Sequence, residues 1–352
     1  MMARDIGTDD PRVRVRASRS SRPRTKVRPD WSVKPLGRVI AIDRGRYRVR
    51  LDDRPITLSA VRAKELKRGS VIMGDRVRLT GDLTGRTDTL ARIVAVDDRS
   101  TVLRRSLEDV ADTRGEKAIV ANADVMCIVV ALADPPARTG MIDRCLVAAY
   151  EAGLEPILCL TKSDLADPEE LLAAYEPFGL SCVVTRFDEP ASIEELRRLL
   201  QGRFTVLVGH SGVGKSTLIN ALIPDADRAV GRVNEVTGRG RHTSTSSQAF
   251  ELADSGWIVD TPGVRSFGLG HVGVDDVLAV FPEVQDATTW CLPLCPHSAG
   301  EPSCAIDAWK AGTDPFTAAD EDEQERRASL AASARRLLEA VATADAAAKA
   351  AR

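Results

Sequence analysis

The spacing of apolar residues changes several times along the chain, and each change predicts a different kind of structure. Residues 1–33 have no helical or strand period. Arg12, Arg14, Arg16, Arg19, Arg22, Arg24, Lys26 and Arg28 nearly alternate there, which predicts a disordered basic arm. From Leu36 apolar and polar residues alternate in short runs: Gly37–Ile42, Tyr47–Leu51, Arg54–Leu58, Asp75–Leu79 and Thr89–Val96. Turn signals at Asp43-Arg44-Gly45, Asp52-Asp53 and Thr84-Gly85 separate them. Five short strands in so few residues predict a small closed β-barrel of OB type. Residues 97–117 read as a charged connector with Arg104, Arg105 and Lys117.

Beyond Ala118 the pattern becomes that of an open α/β sheet. Val125–Val130 is wholly apolar, as a strand inside a parallel sheet must be. Ile142 to Ala152 has helical spacing, with Ile142, Leu146, Ala149 and Tyr150 on one side. Strands follow at Pro156–Leu160 and Leu180–Thr185, and a helix at Ile193–Leu200 leads into a further strand at Phe204–Val208. Near the end, Glu321 to Ala347 is rich in Ala, Arg and Leu, with Leu330, Leu337, Leu338 and Val341 on one helical face.

Composition adds three constraints. A chain of 352 residues has room for two or three domains. No run of about 18 apolar residues exists, and the Arg-rich amino terminus has no apolar stretch, so neither a membrane span nor a secretory signal is expected. The net charge of −2 conceals an asymmetry: residues 1–110 hold 27 Lys/Arg against 15 Asp/Glu, leaving 22 against 36 for the rest. A basic front on an acidic rear suggests that the front meets a polyanion, and Arg-rich strand faces with Tyr47 as the barrel's aromatic would favour phosphate contacts over base stacking.

The strongest chemical signal is Gly209-His210-Ser211-Gly212-Val213-Gly214-Lys215-Ser216, placed between the Phe204–Val208 strand and a helix that begins near Thr217. Glycines let successive backbone N–H groups converge on an anion, and the helix amino end adds partial positive charge. This P-loop pattern predicts a nucleoside triphosphate site, with Lys215 on the β- and γ-phosphates and the Ser216 hydroxyl on Mg²⁺. Thr161-Lys162-Ser163-Asp164 closes the 156–160 strand. A carboxylate there can accept from guanine N1–H and N2–H₂ together, a donor pair that adenine lacks, so Asp164 predicts guanine. The Lys162 stem would lie along the base. Asp260-Thr261-Pro262-Gly263 ends another strand, and suits a Mg²⁺ reached through water at Asp260 and a γ-phosphate sensed at Gly263. The glycine- and hydroxyl-rich stretch Gly238–Thr245 offers Thr243, with Thr245 in reserve, to the same Mg²⁺.

The order of these loops is unusual, because the guanine loop precedes the P-loop. Every loop hangs at a strand's carboxyl end, so rejoining the chain elsewhere leaves the rim intact. Val264 stands where many GTPases carry a water-orienting Gln, which predicts slow intrinsic hydrolysis. His242 is a candidate water-positioner, with a solvent-facing loop histidine as the competing reading. Farther on, Cys291, Cys295, His297 and Cys304 crowd one short window, a donor set that can close a tetrahedron around a structural Zn²⁺. The remaining cysteines, Cys127, Cys145, Cys159 and Cys182, fall in apolar segments and read as core.

Together these segments resemble the circularly permuted GTPases of the ribosome small-subunit-dependent GTPase A family. The likeness is carried by Ala121-Asn122-Ala123-Asp124, Ile142-Asp143-Arg144, Thr161–Asp164, Gly209–Ser216, Gly240–Thr243, Asp260–Gly263 and the cysteine cluster. Covering nearly the whole chain from Leu36 onward, after the basic arm (1–33), it implies a multidomain chain: an OB-fold RNA-binding barrel (34–100), a circularly permuted α/β P-loop GTPase (101–270) and a mainly helical zinc-binding region (271–352). It further implies GTP hydrolysis to GDP, stimulated by the small ribosomal subunit through its rRNA during late assembly, in the cytoplasm, by a monomer. Four residues at three sites depart from the family pattern. Thr161 replaces an Asn, Thr185-Arg186 stands where a Ser-Ala clamp on guanine is typical, and His210 replaces a Gln. A regulatory RNA-binding module with a poorly hydrolysing pocket and an ATP-using P-loop enzyme are the competing readings.

Overall fold

The computed structural model describes residues 30–106, 116–223, 248–253, 255–260, 272–313 and 315–350. Apart from its last four residues, the expected basic arm lies outside these. The architecture below belongs to the body Lys34–Arg352.

Five strands, β1 (Leu36–Asp43), β2 (Arg46–Leu51), β3 (Thr57–Arg62), β4 (Arg76–Gly81) and β5 (Ala91–Val96), run in the order β1-β2-β3-β5-β4, and β4 pairs back onto β1. The sheet is thereby closed. The β3–β5 pair is parallel and the others are antiparallel. Alternation sends Val39, Val49, Leu51, Leu58, Ala60, Val77, Leu79 and Ile93 inside and the arginines outside. The third strand starts later than the apolar pattern suggests: Arg54 and Pro55 belong to a tight turn, in which the Ile56 N–H donates to the Arg54 carbonyl. Proline cannot donate to a ladder, which explains the displacement.

The second sheet comprises β8 (Val125–Ala131), β9 (Glu155–Thr161), β10 (Ser181–Val184), β11 (Phe204–Val208), β12 (Gln248–Glu251) and β13 (Trp257–Asp260), in the order β10-β9-β8-β11-β13-β12. The first five positions are parallel, and β12 is antiparallel. A single register pair, Ala41 with Gln248, continues this sheet into the barrel. Helices α1 (Thr139–Glu151), α2 (Glu169–Tyr175), α3 (Pro190–Leu200) and α4 (Lys215–Leu222) cover it. The strand period divides the core: Met126, Ile128 and Val130 pack with Ile142, Leu146 and Ala149 of α1, whereas Val125, Cys127 and Val129 pack with Ile193, Leu196, Leu218 and Ile219.

Part of the expected connector is structured, because β6 (Val102–Ser106) and β7 (Glu116–Ala121) form an antiparallel pair. Its charged positions mask an alternation that buries Leu103 and Val120. The carboxyl-terminal helices are α5 (Val274–Leu278), α6 (Pro282–Thr288), α7 (Ala305–Ala311) and α8 (Glu321–Ala350). Leu337, Leu338 and Val341 are buried as the spacing predicts, Leu330 is half-buried, and Ala331 and Ala334 complete the face. This face joins the α1 side of the core. Arg336 of α8 reaches back to Asp143 of α1 (Nε to Oδ2, 2.8 Å), and the Tyr175 hydroxyl donates to the same carboxylate at 2.8 Å.

Candidate functional site

Strand β11 is buried along its whole length between β8 and β13. Its chain then turns sharply at Gly209. A Cβ there would lie 2.3 Å from the Val129 carbonyl, and φ is +149°, so only glycine lets the loop pass this close to β8. Ser211, Ser216 and Thr217 are exposed, Val213 is buried as the loop's anchor, and α4 begins at Lys215 directly after Gly214. The Lys215 ammonium donates to the Gly209 and His210 carbonyls at 2.5 and 2.7 Å, bracing the loop against its own helix.

Asp260 ends β13 and is in register with Leu207 of β11, which brings its carboxylate near Lys215. Burial pushes the Asp260 carboxyl above its ordinary value, and Lys215 pulls it partly back. Burial likewise lowers the Lys215 ammonium, and Asp260 opposes that shift. A desolvated pair of opposite charge at the mouth of a glycine loop is suited to a phosphate and its counter-ion. Ser216 and Asp260 are therefore the described residues that could hold Mg²⁺, and their oxygen donors suit a hard cation.

Thr161, which opens the segment expected to read guanine, lies against the P-loop. Thr161 ends β9 wholly buried, and its hydroxyl donates to the Val213 carbonyl at 2.7 Å, tying the two loops together. Lys162 is half-buried with a left-handed φ of +60°, and its ammonium donates to the Asp134 carbonyl. Asp164 is exposed, and its field helps raise Arg186 above the ordinary guanidinium value, after the Asp188 hydrogen bonds that dominate that shift. The Ser163 hydroxyl donates to the Thr185 carbonyl at 3.4 Å, so the 185–186 segment borders the same loop.

Two neighbours escaped the sequence reading. Phe187, 41% exposed, places its ring against Gly214, where an added Cβ would meet ring carbons at 3.6–3.7 Å. The segment at Asp134-Pro135 flanks the P-loop at Gly212 and receives Lys162. The available signal for Phe187 was its place immediately after Thr185-Arg186. His242, Thr243, Thr245, Gly263 and Val264 lie outside the described residues.

A second cluster occupies the segment between α6 and α7. The ligand atoms of Cys291, Cys295, His297 and Cys304 all lie within 4.8 Å of one another. His297 Nδ1 is 3.6 Å from the Cys291 sulfur and 3.9 Å from that of Cys304. Tetrahedral zinc with bonds of about 2.0–2.3 Å needs donors roughly 3.5–3.8 Å apart, so this set fits the ion. Burial, then Arg335, lowers the His297 pKa, which favours the neutral imidazole that a metal requires. Burial pushes the Cys291 thiol up to about 11, against a hydrogen bond from the Ala305 N–H. Arg335 bridges this loop to two helices, donating to the His297 carbonyl at 3.2 Å and to both Asp307 carboxylate oxygens at 2.9 and 2.8 Å. No helix among the described residues is long and apolar enough to cross a membrane.

Known proteins resemble this chain in sequence and in fold. A family model described as RsgA GTPase matches residues 96–270. The chain is 40% identical over 245 residues to a small ribosomal subunit biogenesis GTPase RsgA of Pseudomonas fluorescens SBW25, covering 67% of this chain and 68% of that one. Among solved structures it is similar to YjeQ from Thermotoga maritima, with TM-score 0.59 and 26% identity, covering 85% of this chain and 97% of that one. YloQ, described as a circularly permuted GTPase, shares the fold at TM-score 0.56 and 20% identity, over 85% of this chain and 94% of that one.

Proposed function

Because this chain belongs to the RsgA GTPase family and is a GTP hydrolase, we propose that it acts on the small ribosomal subunit as a late assembly factor whose turnover that subunit stimulates. The relatives named for small-subunit biogenesis supply the partner. The observation that carries the nucleotide assignment is the Thr161–Val213 hydrogen bond, which holds the guanine-loop and phosphate-loop residues on one edge of the sheet.

In this reading Lys162 and Asp164 recognise guanine, with Thr161 fixing their loop. Gly209, His210, Ser211, Gly212, Val213, Gly214 and Thr217 wrap the phosphates through backbone and hydroxyl groups. Lys215 leaves its own carbonyls for the β- and γ-phosphates, and Ser216, Thr243 and Asp260 serve the Mg²⁺. Bound Mg²⁺ would offset the charge developing on the phosphate oxygens. Gly263 senses the γ-phosphate, and His242 positions water in place of the side chain that Val264 cannot provide. The closed barrel, taken as an OB fold, meets rRNA together with the basic arm. A Zn²⁺ held by Cys291, Cys295, His297 and Cys304 secures the helical region, and four protein ligands leave it no open position. The protein works as a cytoplasmic monomer, divided at about residues 33, 100 and 270.

The test is GTP turnover with and without purified small subunits. Stimulation in the wild type, lost in Lys215→Ala and reduced in His242→Ala, supports the assignment. Absence of stimulation in the wild type overturns the partner, and equal stimulation in His242→Ala removes that residue's role.

A further inference from the structure

The opposite end of the same sheet holds a cleft that the nucleotide chemistry does not use. It has a volume of about 280 Å³, slightly below the range of about 300–1,000 Å³ usual for small-molecule pockets, and lies where the barrel wall faces the feet of β11 and β13. Across that wall three arginines stand abreast on neighbouring strands. Arg38 of β1 is in register with Arg76 of β4 on one side and with Arg50 of β2 on the other. Like charges directly opposite across an antiparallel pair are destabilising, so this row works against the barrel that carries it.

The flanking charges are answered locally. Arg76 is paired with Asp52, Arg50 with Glu251 at 3.1 Å, and Arg203 on the far side with Glu155 at 2.6 Å. The last acid in the cleft, Asp124, accepts the Phe204 N–H at 2.8 Å. Arg38 differs. Among the described residues no ion pair or hydrogen bond engages its guanidinium, which lies 4.4 Å from the centroid of the Phe204 ring. Burial, first, and the adjacent Arg76 lower its pKa, while the fields of Asp124 and Asp52 oppose them without a direct ion pair among the described residues. A guanidinium has five N–H donors, and a contact with an aromatic ring leaves them able to bind a planar or tetrahedral oxyanion.

We propose that this cleft binds a phosphate group, with Arg38 as the residue that takes its charge and Arg50 and Arg76 as flanking donors. The ligand is either a free phosphate anion or a single phosphate of an RNA backbone. The site is independent of the P-loop, since it lies at the amino ends of the strands whose carboxyl ends carry Gly209 and Asp260.

The experiment uses the full-length protein with its P-loop saturated by GDP and Mg²⁺, at low salt. Inorganic phosphate is titrated by calorimetry and by tryptophan fluorescence, since Trp257 lines the cleft. Saturable binding is expected, weakened at least tenfold in Arg38→Met, which keeps an apolar stem over Phe204, and unchanged in Arg92→Met, an exposed strand arginine outside the cleft. Trp257→Phe should abolish the fluorescence response whether or not the Arg38 variant folds well. A short single-stranded RNA separates the two sources. If RNA binding loses affinity in Arg38→Met, and its salt dependence falls by about one counter-ion, the phosphate belongs to a backbone. If only inorganic phosphate is affected, the ligand is the free anion. Equal phosphate affinity in wild type and Arg38→Met, no binding in the wild type, or a fluorescence response that survives Trp257→Phe would overturn the site.

Discussion

Removing the Thr161 hydroxyl leaves the Val213 carbonyl without the donor it has inside the fold. An unsatisfied buried acceptor costs about 1–3 kcal/mol, so Thr161→Val should lower the unfolding free energy by that amount and weaken GDP binding measurably in a fluorescent-nucleotide titration. Thr161→Ser, which keeps the donor, should recover most of both. Asp143 gives a prediction in pH. Burial raises its carboxyl pKa, while Arg336, the Tyr175 hydroxyl and Arg144 pull it back. A carboxyl whose folded value exceeds its unfolded value contributes stability below the unfolded value and loses it as pH rises through the folded one. Arg336→Met removes the main opposing charge and should raise the Asp143 pKa further. The variant should therefore be destabilised by about 3 kcal/mol at neutral pH, the low end for a broken buried pair because Arg336 is partly exposed, with the deficit shrinking towards acid. Denaturant unfolding of both proteins across that pH range measures it.

Among the elements, the segment between α6 and α7 depends most on its ligands. Its Trp290, Leu292 and Leu294 are exposed, so it has little core of its own, and Arg335 links it to α7 and α8. Chelating the proposed zinc should lower the melting temperature and loosen α7 and α8 in hydrogen exchange, with release of one metal per chain; Cys304→Ser should reproduce the effect. Legibility in the sequence varied by element for similar physical reasons. The Phe204–Val208 strand was readable to the residue, because a fully buried parallel strand is apolar throughout and a glycine loop ends it sharply. That Thr161 and the glycine loop would meet was readable because both stand at the carboxyl ends of strands in one parallel sheet. By contrast β6 and β7 passed for a connector, since each needs only alternate apolar residues and presents Arg104 and Lys117 on its other side. The short helices α5 to α7 show no period long enough to detect, and they exist through packing on α8 and, for α7, next to the cysteine cluster. Phe187 and Arg38 could not be identified as site residues from sequence, because an exposed aromatic or a strand arginine acquires meaning only from what lies opposite.

Across the whole molecule, the barrel and the parallel sheet are locked at a few backbone contacts. The Asn122 amide donates to the Gly74 carbonyl at 3.1 Å, and its oxygen accepts from the Ser100 N–H at 2.9 Å. Gly74 has φ +80°, and a Cβ there would lie 2.0 Å from the Ala121 carbonyl and 2.9 Å from the Phe204 ring. Gly74→Ala should therefore destabilise the protein by more than the about 1–3 kcal/mol of a strained φ alone, and reduce stimulation by small subunits more than it reduces GDP affinity. The permuted order gives this junction its importance, since β12, which follows the Thr243 segment in sequence, pairs with β1 of the barrel while β13 brings Asp260 near Lys215. All of this presumes that guanine sits over Asp164 while its phosphates lie in the P-loop. Displacement of fluorescent GDP by GTP, ATP and XTP, in wild type and Asp164→Asn, tests that most directly. The account predicts that only GTP competes in the wild type and that preference moves to XTP in Asp164→Asn, whose amide can donate to the xanthine 2-oxo group. Effective competition by ATP, or undiminished guanine preference in Asp164→Asn, would contradict it.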